Sequence, residues 1–145
     1  MEFLPEYVNG LPLHPLIVHV AVVLIPLGGV LALLMVVVPR FSTRFGPLVA
    51  VLAWGGAGAA ATAVHSGKVL HAEVDVSRLH VQSGELMPYF ALAQAVLITL
   101  LWLADRRGGR GILGMLVALL TVVTVVAAGY WTYRTGEAGA RSVWR

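Results

Sequence analysis

Between Pro15 and Val38 the chain carries no Asp, Glu, Lys or Arg, and three more such runs follow at Pro47–Val64, Leu86–Ala104 and Ile112–Tyr133. Each is close to the ~20 residues that cross the hydrocarbon core of a bilayer as a helix. Inside lipid every backbone polar group must be satisfied within the segment, which favours helices over irregular structure. The runs are continuously apolar and show no dyad alternation, so a transmembrane β-barrel is disfavoured. Composition agrees. Of 145 residues, 59% are hydrophobic and 12% charged, against roughly 45–50% and about 25% in soluble domains. A chain this short has too much surface for its volume to hide that much apolar area from water. Disorder is excluded by the same figures. With no cysteine, a disulfide scaffold, an iron–sulfur cluster held by thiolates and a thiolate metal site are excluded too.

The expected architecture is all-α: an integral membrane four-helix bundle, up-down-up-down, forming a single domain over residues 1–145. Spans are expected at about 15–38, 47–66, 77–104 and 111–134. The links Pro39–Gly46, Ser66–Glu85 and Asp105–Gly111 are short, which makes sequential helices antiparallel neighbours. Asp75 or Ser77 offers an N-cap for the third helix. The first run is expected to stay in the mature protein, because Met1–Gly10 has no Lys or Arg and the apolar stretch exceeds a signal-peptide core.

The net charge of +3 is not a nucleic-acid signal, since the basic residues sit where apolar runs end. Arg40, Arg44, Arg106, Arg107 and Arg110 face only Asp105 on one side. Lys68, Arg78, Arg134, Arg141 and Arg145 share the other side with Glu2, Glu6, Glu73, Asp75, Glu85 and Glu137. Lys and Arg totals tie, but the first set occupies two tight links. The positive-inside rule therefore places those links in the cytoplasm, and both termini outside it.

All five histidines then gather at one end. His14 and His19 open the first span, His65 closes the second, His71 lies in the long link and His80 precedes the third. His14 precedes Pro15, which biases it towards extended backbone and suits the proline to the first helical position. His71 is read as an ordinary interfacial residue with an apolar body and polar tip. The other four are candidate ligands, because ionisable groups within spans tend to face the bundle interior and mark function. On helix two, Gly55, Gly58, Ala59, Thr62 and His65 form a small-residue face, suited to close helix packing, an oligomer contact or a flat ligand. On helix three, His80, Gly84, Met87, Ala91 and Gln94 follow one stripe. Pro88 can kink that helix.

Imidazole binds zinc, copper, nickel and iron, and two imidazoles can ligate a haem iron axially. Axial ligands approach opposite faces of the macrocycle, so one from helix one and one from helix two or three is required. His19 with His80 or His65 is the expected pairing. A compact metal site would instead join His14 and His19 to His65, His80 or Glu137. No catalytic triad, paired carboxylates within a span or phosphate-cradling loop is present. Gly108–Gly109 form a turn among arginines, placed against anionic lipid.

The run GLPLHPLIVHVAVVLIPLG, with His14-Pro15 and Val18-His19, resembles the His-Pro-x-x-Val-His signature of the bacterial membrane family called domain of unknown function 2231. HVQSGELMPYF, opening on His80, and the tail TGEAGARSVW, with Gly136, Gly139 and Trp144, are similar to the family's later features. The resemblance implies a four-helix membrane protein, with family histidines falling on His14, His19 and His80. Some members carry Rieske-type or cytochrome-type domains, which implies membrane electron transfer by analogy.

These readings converge on a small b-type cytochrome-like protein of the bacterial inner (plasma) membrane. Haem b would be held by histidines among His14, His19, His65 and His80 at the extracytoplasmic end. Electrons would pass to or from a quinone or a redox partner protein, with the bilayer as solvent. Tyr130, Trp131 and Tyr133 are expected to form an interfacial belt. Electron transfer fits this chain better than stand-alone enzymology. Two other readings fit the same residues. One is a non-haem site for a divalent transition metal (Zn, Cu, Fe or Ni), used in transport or sensing. The other is a cofactor-free subunit or anchor, compatible with a homo-oligomer.

Overall fold

The computed structural model describes residues 7–8, 10–70 and 78–143. Four helices dominate it: α1 Leu13–Val37, α2 Pro39–Leu70, α3 Arg78–Arg106 and α4 Ile112–Val143. Each contains a stretch long and apolar enough to cross a membrane. Before them, β1 (Tyr7–Val8) and β2 (Leu11–Pro12) make a minimal antiparallel hairpin, with Tyr7 opposite Pro12 and Val8 opposite Leu11. Gly10 supplies its turn at φ 79°, a conformation that side chains resist. The helices run alternately up and down. α1 and α3 each lie between α2 and α4, and meet each other across the diagonal.

Several boundaries differ from the sequence expectation: α1 starts at Leu13, α2 runs on through Ser66 to Leu70, and two larger differences stand beside these. Pro39–Gly46 is not a link but the first two turns of α2, so that Val38 alone separates α1 from α2. Pro39 takes an initial helical position, where its missing N–H costs nothing. The Val38 carbonyl accepts from the Phe41 and Ser42 amides at 2.9 and 3.2 Å. At the other end the glycine-bearing tail is helical through Val143, and Glu137 pairs with Arg141 one turn on at 2.7 Å. The N-cap candidates Asp75 and Ser77 lie outside the described residues, and so does His71.

The interior is built from small side chains, which let helix axes approach closely where lipid supplies no hydrophobic drive. Ala32, Ala95 and Ala128 are fully enclosed, with Met35, Ile98 and Leu101 as the larger fillers. Gly46 is a seat for Trp102, whose ring lies where a β-carbon would project. Hydroxyls in the spans close on their own helix: Thr62, Thr99, Thr121, Thr124 and Thr132 each donate to the carbonyl four residues back.

At the end opposite the histidines, Arg110 forms a bidentate pair with Asp105, at 2.7 Å from Nε and 3.0 Å from the terminal nitrogen. The same guanidinium donates to the Met35 and Val36 carbonyls. These are among the last carbonyls of α1, which have no amide ahead of them to satisfy them. A cation there also complements the helix dipole. One side chain thus ties the α3–α4 connection to the end of α1.

Candidate functional site

Leu13 is already helical, so His14 belongs to the first turn of α1 and is not an extended residue ahead of it. Pro15 falls in the same turn, where no intrahelical amide bond is lost. This rotates the His14 imidazole onto α2. Its Nδ1–H donates to the Ala63 carbonyl at 2.8 Å, and Ser66 Oγ stands 3.4 Å from the same nitrogen. Ser66 itself donates to the Thr62 and Ala63 carbonyls. One turn beyond Ala63, Gly67 gives the ring its room: a β-carbon there would lie 2.9 Å from His14 Cε1.

His80 repeats this arrangement on the other two helices. From the first turn of α3, its Nδ1–H donates to the Thr135 carbonyl of α4 at 3.0 Å. Gly139, one turn beyond Thr135, is its seat, with a β-carbon there 3.0 Å from His80 Cε1 and Nδ1. The two imidazoles face one another across the diagonal, their ring centroids 6.5 Å apart and their planes at 88°. A carbonyl can only accept, so each ring carries a proton on Nδ1. That is how metal-binding histidines are commonly held, with the second nitrogen anchored to a carbonyl or carboxylate.

The remaining candidates sit elsewhere. His19 is exposed on the outer surface of α1, its Nδ1–H donating to the Pro15 carbonyl one turn back at 2.6 Å. His65 is exposed on α2. The expected pairing of His19 with His80 or His65 is therefore not the pair the packing brings together; His14 stands where His19 was expected. The small face leading to His65 also turns outward, with open space around Gly58. The inward stripe of α2 is Ala53, Gly56, Ala57, Ala60 and Ala63. This stretch is small on every side, so its apolar period could not tell one face from another. On α3 the expected stripe does point inward: Met87, Ala91 and Gln94 are buried below His80. Gln94 Nε2 donates to the Ile25 carbonyl at 3.0 Å.

No sequence pattern marks Ala63, Ser66, Gly67, Thr135 and Gly139 as partners of the rings. Gly139 was visible only as part of a glycine-bearing tail. Trp131, expected in an interfacial belt, stacks on Phe90 with centroids 6.0 Å apart, while Tyr130 and Tyr133 remain exposed. Among the described residues no three His, Asp or Glu side chains converge as a metal cluster.

The family described as "Predicted membrane protein (DUF2231)" matches residues 10–145, the whole of the bundle. The chain belongs to the DUF2231 family. No curated protein and no solved structure matches it. The match to DUF2231 begins at Gly10, ahead of His14, and takes in both histidine–glycine seats. Its description as a membrane protein agrees with four helices that are each long and apolar enough to cross a membrane.

Proposed function

We propose that this DUF2231 protein is a small b-type cytochrome-like membrane protein, with His14 and His80 as axial ligands of one haem. The observation that carries the reading is the pair itself: two imidazoles from diagonal helices, each held through Nδ1–H on a backbone carbonyl. With metal–nitrogen bonds of ~2.0–2.1 Å, two imidazoles on opposite sides of one ion have ring centroids roughly 6–6.5 Å apart. The observed separation is 6.5 Å. Haem iron takes four ligands from its macrocycle, so two protein donors complete it. A bare zinc site needs three or four.

Bound haem supplies one-electron chemistry; the chain supplies ligands, a low-dielectric setting and the hydrogen bonds that tune the iron. Donation from Nδ1–H makes each imidazole a stronger electron donor. We place the site at the extracytoplasmic face of a bacterial inner membrane, because Arg40, Arg44, Arg106 and Arg107 are exposed at the other end. A quinone in the bilayer or an extracytoplasmic redox protein would exchange electrons there.

The test is a comparison of four variants of the detergent-purified protein after expression with ample haem. His14→Ala and His80→Ala should each abolish the six-coordinate spectrum, whereas His19→Ala and His65→Ala should retain it. Loss in His19→Ala with retention in His14→Ala would refute the assignment. A stoichiometric non-haem metal with no Soret band would replace the haem reading with the metal-site one.

A further inference from the structure

The two histidine seats are related by more than likeness. His80 lies 66 positions after His14, while Thr135 and Gly139 lie 72 positions after Ala63 and Gly67. The histidine alignment sets the register of α1 on α3 with no adjustable shift, and burial can then be compared position by position. Positions 21, 25, 28, 29, 32 and 35 of α1 are buried, and so are 87, 91, 94, 95, 98 and 101 of α3, each 66 further on. On α4 the buried positions are 114, 118, 121 and 128, and their counterparts 72 earlier on α2, at 42, 46, 49 and 56, are buried as well; α2, which packs more extensively on its neighbours, buries 50, 53, 57, 60 and 63 in addition. The six-residue difference between the offsets falls around the connections: Val38 alone lies between Val37 and Pro39, whereas 104–110 lie between their counterparts Leu103 and Gly111.

Counterparts also meet. His14 faces His80, and a β-carbon on Gly28 would lie 3.4 Å from Nε2 of Gln94, its own counterpart. Equivalent residues touch only near the axis that relates them. Two such meetings, at different depths, trace a line along the bundle between α1 and α3. The hairpins α1–α2 and α3–α4 run in the same sense, so this line is a two-fold axis along the membrane normal.

We propose that the chain is a fused pair of equivalent helical hairpins, and that His14 with Gly67 and His80 with Gly139 are the equivalent halves of one site, built on the two-fold axis for a single metal centre. Gly67 and Gly139 are positioning residues: each admits the ring that its neighbouring carbonyl orients. A centre on the axis is approached alike by both imidazoles, so both ligands carry equal weight. That this centre is haem iron rests on the reading above; the duplication does not.

The test has two arms, both in the full chain. The chain has no cysteine, which makes paired cysteines unambiguous. A β-carbon on Gly56 would lie 3.2 Å from Ile25 Cγ1; the counterparts of this pair are Ala91 and Ala128. Ile25→Cys with Gly56→Cys should cross-link on oxidation, and Ala91→Cys with Ala128→Cys should do so at a similar rate. Cross-linking of the first pair alone would overturn the duplication. In the second arm, haemin is titrated into the unaltered protein and into Gly67→Ala and Gly139→Ala. Each variant should weaken binding by roughly 10- to 100-fold, the usual loss when a ligand's supporting shell is disturbed, and the two losses should agree within about threefold. A large loss in one with none in the other would overturn the equivalence of the half-sites. Failure of the unaltered protein to bind haemin would defeat the haem reading and leave the cross-linking result standing.

Discussion

A glycine in a membrane helix is informative when something fills the space its side chain would take. Gly46 seats the Trp102 ring, and a β-carbon there would lie 2.8 Å from Trp102 Cβ. Gly46→Ala must push a bulky ring off its packing, at a cost of about 1–3 kcal/mol. Thermal unfolding in detergent micelles should show it, and the exposed Gly58 of the same helix, which has open space around it, gives a control: Gly58→Ala should leave the midpoint unchanged or raise it, since alanine is the better helix former. Gly67 and Gly139 belong to the first kind. Sequence inspection could mark the histidines, because ionisable groups are rare in apolar runs. It could not mark the glycines that seat them, because glycine is plentiful in this chain and its role depends on the helix opposite. For the same reason the sequence does not distinguish His14 from His19; only the start of α1 at Leu13, which brings His14 into the helix, shows which ring lies against the bundle and which faces outward.

Among the elements, the span count, their order and the inward stripe of α3 were legible from apolar run length and period. The ends of α2 and α4 were not. Polar residues from Pro39 to Gly46 and from Arg134 onward look like links, yet they extend helices beyond the apolar stretch, stabilised by local amide bonds and by the Glu137–Arg141 pair. The most consequential contact between elements is Arg110, which joins α3, α4 and the end of α1. The Asp105 side chain is only 1% exposed. Arg110→Ala leaves that carboxylate and the Met35 and Val36 carbonyls without their donor. Removing one partner of a buried pair costs about 3–5 kcal/mol. The expected outcome is a strongly lowered unfolding midpoint, partly recovered when Asp105→Asn is added. Equal stability of Arg110→Ala and the unaltered protein would show that the tie carries no weight.

At the scale of the whole molecule, the bundle has a polarity. One end gathers the paired imidazoles, their glycine seats, the start of α1 and the end of α4; the other holds the arginine links. The proposed orientation, with the arginines cytoplasmic, predicts that a cysteine introduced at the exposed Gly108 is labelled by an impermeant thiol reagent in inverted vesicles but not in intact cells. The reverse pattern would invert the site's location. The duplication escaped sequence inspection because the two halves share a burial pattern more than residues: only scattered identities such as Leu13-His14 with Leu79-His80 and Gly67 with Gly139 survive.

The central claim is that His14 and His80 form one bis-imidazole site, and an optical spectrum of the purified, unaltered protein tests it most directly. After expression with ample haem, the account predicts a Soret band and, on reduction, the sharp α and β bands of a six-coordinate low-spin haem. A purified, folded protein with no Soret absorbance, or with the spectrum of a five-coordinate haem, would contradict it.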